Sequence, residues 1–126
     1  MTAVGVVLAA GAGRRFGAAK ALVELDGERL VDRAVRLLRD GGCADVVVVA
    51  GAVPLRGVDA HVVTNVDWPT GMASSLRVGL ESAGALGDWT SAVLVLVDTP
   101  WIGAEAVHRL LDTGDADAVQ ATYDGV

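Results

Sequence analysis

VGVVLAAGAGRRFGAAK, Val4 to Lys20, runs a short β-branched segment straight into a glycine-rich basic loop. The first five residues read as a buried strand. Gly11, Gly13 and Gly17 follow it, and glycine lets the backbone take positive φ and come close enough for its N–H groups to face an anion. Arg14, Arg15 and Lys20 place three cations in or beside that turn. A strand that opens into such a loop is the usual start of an α/β sheet that binds its ligand at the strand ends.

Outward from this stretch the chain alternates. Val4–Leu8, Asp45–Ala50, Ala60–Thr64, Ala92–Val97 and Asp117–Thr122 are apolar, β-branched runs bounded by Gly, Asp, Asn or Pro, and they read as five strands. Leu30, Val31, Ala34, Val35, Leu37 and Leu38 recur at helical spacing. Asp32, Arg33, Arg36, Arg39 and Asp40 take the other face, and Gly41-Gly42 supplies the stop. A second helix is expected to begin near Ser74, whose hydroxyl would cap it, and to run through Leu76, Val78, Leu80 and Ala83. A third carries Ala106, Val107, Leu110 and Leu111 up to Gly114. The order β-α-β-β-α-β-α-β implies a mostly parallel sheet with helices on both faces, a three-layer α/β/α architecture. Pro54–Gly57 reads as a surface turn.

Length and composition agree. The 126 residues correspond to one domain, 1–126. Hydrophobic residues make up 52% but aromatics 4%, so the core must be built from Val, Leu and Ala, as in a buried parallel sheet. A net charge of −6 argues against wide binding of nucleic acid or an anionic membrane, so an anionic ligand needs a local basic cluster. The single Cys43 cannot form an internal disulfide and reads as a packing element in a reducing compartment, with the cytoplasm the expected location. The apolar start lacks the preceding positive charge of an export signal, and no apolar stretch reaches 18 residues.

Lys20 is the only lysine against nine arginines. A compact, mobile ammonium suits a phosphoryl group whose geometry changes during reaction, whereas a guanidinium suits fixed bidentate contacts. Lys20 is therefore assigned to an α-phosphate and departing pyrophosphate, and Arg15 to the outer phosphates. The loop is not a P-loop, because Ala18 and Ala19 separate Gly17 from Lys20 and Ala21 follows. It is not the dinucleotide fingerprint either, since Phe16 stands where the third glycine would be. Asp98, at the end of the fourth strand, is placed to hold Mg²⁺ together with substrate phosphate oxygens and water. His61 and His108 are isolated, with no second ligand three or four residues away and no neighbouring nucleophile, which disfavours zinc and hydrolase chemistry.

LAAGAGRRFGAAKAL, Leu8 to Leu22, resembles the LAAGxGxRxGxxKxL signature of nucleotidyltransferases with a Rossmann-like fold of the nucleotide-diphospho-sugar transferase type. It is closest to the MobA-like branch that includes molybdenum cofactor cytidylyltransferase. The resemblance implies a nucleotide cradle of Leu8, Ala9, Ala10, Gly11, Gly13, Arg14 and Gly17 with Arg15, Lys20 and Asp98 as catalytic residues, Asp98 in Asp98-Thr99-Pro100 being the metal-binding aspartate. Asn65 to Leu76, NVDWPTGMASSL, is similar to the cytidylyltransferase segment that contacts base and ribose, which carries Asn65, Gly71, Met72 and Ser75 over as binding residues. The pair Ala9-Ala10 resembles enzymes using CTP or UTP, where relatives using GTP tend to have LAGG.

The expected activity is transfer of CMP from CTP to a phosphate-bearing acceptor, molybdopterin or the molybdenum cofactor, with release of pyrophosphate and with a molybdoenzyme as partner. Two alternatives stay open: a sugar-1-phosphate nucleotidyltransferase, and a nucleotide-binding module or cofactor-insertion chaperone without turnover. Members of this family usually continue past the strand matching Asp117–Thr122 into a segment that completes the acceptor pocket and supplies a second metal-binding residue. The 126-residue chain is therefore expected to be the donor-nucleotide half of a domain whose C-terminal part is missing.

Overall fold

A computed structural model describes residues 3–9, 24–51, 55–89 and 91–97. Its centre is β1 (Ala3–Ala9), a seven-residue strand in which all but Leu8 are buried. A two-residue ladder, β2 (Glu24–Leu25) with β3 (Glu28–Arg29), leads into α1 (Leu30–Asp40). There follow β4 (Asp45–Ala50), β5 (His61–Thr64), a short 3-10 turn (Trp68–Thr70), α2 (Met72–Leu86) and β6 (Ser91–Leu96). The four long strands form one sheet in the order β5-β4-β1-β6. Every pairing in it is parallel, with Val6 facing Val47 on one side and Leu94 on the other.

The strand parity of β1 sorts the core. Ala3, Val7 and Ala9 turn to the face covered by α1, where they meet Val31, Val35, Leu38, Val46, Val48, Val93 and Val95. Val4 and Val6 turn to the other face, with Val47, Val49 and Ala83 of α2. Burying a valine contributes roughly 1.5–3 kcal/mol, so these ladders are the main apolar stabilisation of the sheet. Both helices approach closely because a glycine lies beneath or within them. A Cβ on Gly5 would stand 2.7 Å from Leu38 Cδ1, and one on Gly79 would stand 2.6 Å from Val6 Cγ1.

α1 has the expected bounds: its apolar face is buried and the chain stops at Gly41, whose N–H bonds Leu37 O at 2.9 Å. Its entry differs from the sequence expectation. Asp26 (φ 54°) and Gly27 (φ 82°) form a tight turn with both residues at positive φ, the Asp-Gly hairpin signal, and this produces β2 and β3. Two arginines fasten the hairpin to the helix. Arg29 Nε donates to Asp32 at 2.7 Å, and Arg36 donates to both oxygens of Glu28 at 3.0 and 2.9 Å.

Four further differences are local. α2 begins at Met72, not at Ser74, because Gly71 (φ 122°) makes the turn that a side-chain cap would otherwise assist; Ser74 sits inside the first turn, its hydroxyl 2.9 Å from Gly71 O. β5 starts at His61 rather than Ala60, and β6 spans Ser91–Leu96 rather than Ala92–Val97. Leu55, in the expected surface turn, is buried in the α1-side core. The fifth strand (Asp117–Thr122), the third helix and His108 lie outside the described residues.

Candidate functional site

Connections leave the sheet in opposite directions on either side of β1. From β1 the chain passes through α1 to β4, and from β5 it passes through α2 over the other face to β6. The carboxyl end of β1, between β4 and β6, is therefore the topological switch point, where open α/β sheets form a ligand crevice. The glycine-rich loop begins immediately after Ala9 at that point. On the neighbouring side, Val97 N–H bonds Leu8 O at 3.3 Å, so the chain reaches Asp98 directly from a residue tied to the end of β1. Residues 10, 11, 13, 14, 15, 17, 20 and 98 lie outside the described set, and the positions of Ala10, Gly11, Gly13, Arg14, Arg15, Gly17, Lys20 and Asp98 enter only through this chain continuity.

Leu8 is half-buried on the α2 side and Ala9 is buried on the α1 side, opposite Ala50 in register. At about 4.8 Å per strand, β5 stands about 10 Å from β1 along the same edge, a separation of the order of a nucleoside's length. Asn65 follows β5 there. Its backbone N–H bonds Ala50 O at 2.8 Å and its side chain is 2% exposed. Nδ2 donates to Ser74 Oγ at 2.9 Å and to Ser75 Oγ at 3.0 Å, while Oδ1 accepts the Asp67 N–H at 3.0 Å. The structure thus brings Asn65, Gly71 and Ser75 together around the start of α2, where the backbone of Met72 is the first helical residue. The first turn of α2 contains no acidic residue, which leaves the positive end of the helix dipole uncompensated by its own side chains.

Sequence reasoning treated Ser74 as a cap and overlooked Asp67. The signal was present in Asn65-Val66-Asp67, since an asparagine readily accepts the N–H two residues on. Trp68 packs on the α2-side core.

Other polar features lie elsewhere. A groove of about 300 Å³ lined by Val35, Arg36, Arg39 and Asp59 is at the amino end of the strands, and Arg39 already donates to Asp59 O at 2.8 Å. His61 pairs with Asp45 at 3.1 Å at that same end. Arg36 holds the Glu28 carboxyl below the usual glutamate range, and burial pushes the Cys43 thiol up to about 11. Among the described residues no group of three or more His, Cys, Asp or Glu side chains could hold a metal ion, and no helix is long and apolar enough to cross a membrane.

Comparison with known proteins agrees with this geometry. The family model for the MobA-like NTP transferase domain matches residues 5–126. The chain is 39% identical over 115 residues to nicotine blue oxidoreductase of Paenarthrobacter nicotinovorans, covering 85% of this chain and 54% of that protein. It is 40% identical to a probable molybdenum cofactor guanylyltransferase of Opitutus terrae, covering 79% and 50% respectively. The chain thus spans about half the length of these curated relatives. Among solved structures, it superposes on Rv0371c of Mycobacterium tuberculosis with a TM-score of 0.67 and 29% identity, covering 90% of this chain and 61% of the other. A nucleotidyl transferase from Methanothermobacter shares the fold, with a TM-score of 0.73 at 22% identity over 88% of this chain and 57% of the other.

Proposed function

This chain belongs to the MobA-like NTP transferase family, and from that premise we propose that it forms the donor-nucleotide half of a nucleotidyltransferase. The enzyme transfers a nucleoside monophosphate from a nucleoside triphosphate to a phosphate-bearing acceptor, molybdopterin or the molybdenum cofactor, and releases pyrophosphate. The observation that carries the proposal is the switch point: the segment richest in glycine and cations leaves the sheet from the carboxyl end of its central strand, beside the strand that leads to Asp98.

An oxygen of the acceptor phosphate attacks the α-phosphorus in line; the new P–O bond forms as the bond to the β-phosphate oxygen breaks, and pyrophosphate leaves with that electron pair. No protein nucleophile is needed, only alignment and stabilisation of developing negative charge. Lys20 supplies a positive charge at the α-phosphate and the departing pyrophosphate, and Arg15 holds the outer phosphates. Asp98 would hold Mg²⁺, whose chemistry is to neutralise phosphate charge and orient the triphosphate. The resemblance assigns Leu8, Ala9 and the glycine loop to the nucleotide cradle, and Gly71 and Met72 to the base and ribose.

Two observations bear on the base. Ala9-Ala10 supports a pyrimidine, CTP being the donor first expected, whereas the names of the Opitutus relative and of the Rhodobacter capsulatus molybdenum cofactor guanylyltransferase, 32% identical over 121 residues, support GTP. Full-length protein incubated with Mg²⁺ and either CTP, GTP or UTP, with molybdopterin or hexose 1-phosphates as acceptor, should release pyrophosphate with one nucleotide and one acceptor class. Lys20→Ala and Asp98→Ala should each lower turnover a hundredfold or more, about 3 kcal/mol, as expected for loss of a main electrostatic group. Near-normal pyrophosphate release by Lys20→Ala would overturn the mechanism. Nucleotide binding without pyrophosphate release would favour the binding module. A change in the oxidation state of nicotine blue in place of pyrophosphate release would favour the chemistry named for the Paenarthrobacter relative.

A further inference from the structure

We infer that Asn65 is a positioning residue, one that does not touch the nucleotide but locks the first turn of α2 onto the end of β5 and so fixes the wall met by the base-and-ribose end of the donor. The inference rests on the donor-site reading above and revises the role that the segment's resemblance gives to Asn65 and Ser75.

A side chain that reads a base must present a free donor or acceptor to it. Asn65 has none to present as a donor: one Nδ2 proton goes to Ser74 Oγ and the other to Ser75 Oγ, at 2.9 and 3.0 Å. Its Oδ1 is held by the Asp67 N–H at 3.0 Å, and the residue is 2% exposed. The backbone is equally committed, with N–H to Ala50 O at 2.8 Å and O accepting from Trp68 N–H at 3.2 Å. Ser75 is buried at 3% exposure, so it too faces inward.

The outer member of the cluster is Ser74. Its hydroxyl lies 2.9 Å from Gly71 O and 3.2 Å from Asp67 O, which ties the 66–71 turn to the helix it precedes. Gly71 itself takes φ 122°, a conformation that side chains rarely adopt, so the turn depends on being held from within. One buried amide therefore joins the end of β5, the turn and the first helical turn. Removing it leaves the Asp67 N–H and the Ser75 hydroxyl without their partner, and a lost buried hydrogen bond changes an equilibrium by roughly tenfold.

The test uses Asn65→Ala, Ser75→Ala and the double variant in the full-length protein, with Ser74→Ala as a milder perturbation. Affinity for MgCTP and MgGTP is measured by calorimetry, and amide hydrogen exchange is measured without nucleotide. Asn65→Ala should weaken both nucleotides by the same factor, about tenfold, raising KM with kcat little changed. The double variant should be no weaker than Asn65→Ala alone, because the two residues act as one unit. In the absence of nucleotide, the amides of Asp67 and of Leu76 to Val78 should exchange about tenfold faster. A changed CTP-to-GTP ratio, additive losses in the double variant or unaltered exchange would each overturn the inference. If Asn65→Ala does not fold, Ser75→Ala takes its place under the same criteria. If the unmodified protein binds neither nucleotide, the donor-site reading fails, and the exchange measurement alone decides whether the lock exists.

Discussion

Placing an alanine at Gly79 sets two opposed effects against each other, and the structure says which wins. In a helix interior alanine is favoured over glycine by about 1 kcal/mol through backbone entropy. At Gly79, however, the new methyl would stand 2.6 Å from Val6 Cγ1 and 3.0 Å from Val49 Cγ2, where ordinary contacts begin near 3.4 Å. Val6 and Val49 are fully buried in the sheet and have no room to retreat, so α2 must lift; overpacking of this kind costs about 1–3 kcal/mol. Gly84, five residues on in the same helix, meets nothing within 4 Å among the described residues and is exposed. Alanine there keeps the entropic gain alone. The two variants should therefore move in opposite directions: Gly84→Ala stabilised by about 0.5–1 kcal/mol, Gly79→Ala destabilised by up to about 2 kcal/mol. The propensity contribution cancels between them, so their difference measures the clash, with about 4 °C in Tm for each kcal/mol. Urea melts read against thermal melts give both values. If Gly79→Ala proved as stabilising as Gly84→Ala, the close seating of α2 on β1 would be wrong, and with it the placement of the start of α2 at the carboxyl edge.

Cys43 should resist alkylation by iodoacetamide at pH 8 in the folded protein and react once the protein is unfolded in urea, since burial holds the thiol protonated up to about 11. Because its folded pKa lies above the unfolded value of about 9, the corresponding stability is intact below that pH and declines as pH rises toward 11; Cys43→Ala should flatten this alkaline limb in pH-dependent urea melts. Glu28 behaves with the opposite sign. Its hydrogen bond to Arg36 lowers its pKa, so the pair stabilises above the ordinary glutamate range and is lost as pH falls through the lowered value. Arg36→Ala should cost about 0.2–1 kcal/mol at pH 7, as for an exposed pair, and should make the acid limb shallower; a larger loss would mean that the hairpin depends on that pair.

The parts of the fold that show in the sequence are those decided by periodicity. The α1 face from Leu30 to Leu38 and its Gly41 stop could be read directly, because a sustained 3.6-residue pattern has one interpretation. Asp45–Ala50 likewise kept its bounds, a run too β-branched and too tightly bracketed for anything but a strand. The start of α2 did not show, because Ser74 carries the chemistry of a cap while the decision belongs to Gly71, whose φ no pattern reveals. The ladder around Asp26-Gly27 was missed although that dipeptide is the strongest hairpin signal, since strands of two residues carry no periodicity. For the site, the residue types at 65 and 75 were legible but their relation was not. The hydrogen bonds that turn Asn65 inward join residues ten apart across a turn, and only the folded backbone brings them together.

The central position of β1 bears on how the chain comes to be folded at all. β1 is made before either of the two strands that flank it. β4 reaches it through a single helix, but the register from Ala3↔Ser91 to Leu8↔Leu96 joins the two ends of the described chain. Until residues 91–96 emerge, one edge of β1 presents unpaired N–H and C=O groups, with a fully apolar strand behind them, to any other extended segment. Non-local parallel pairing of this kind is slow to form and exposed to aggregation meanwhile. The arrangement that sets a ligand crevice at the middle of the sheet thus also makes β1 the described strand most in need of protection during synthesis.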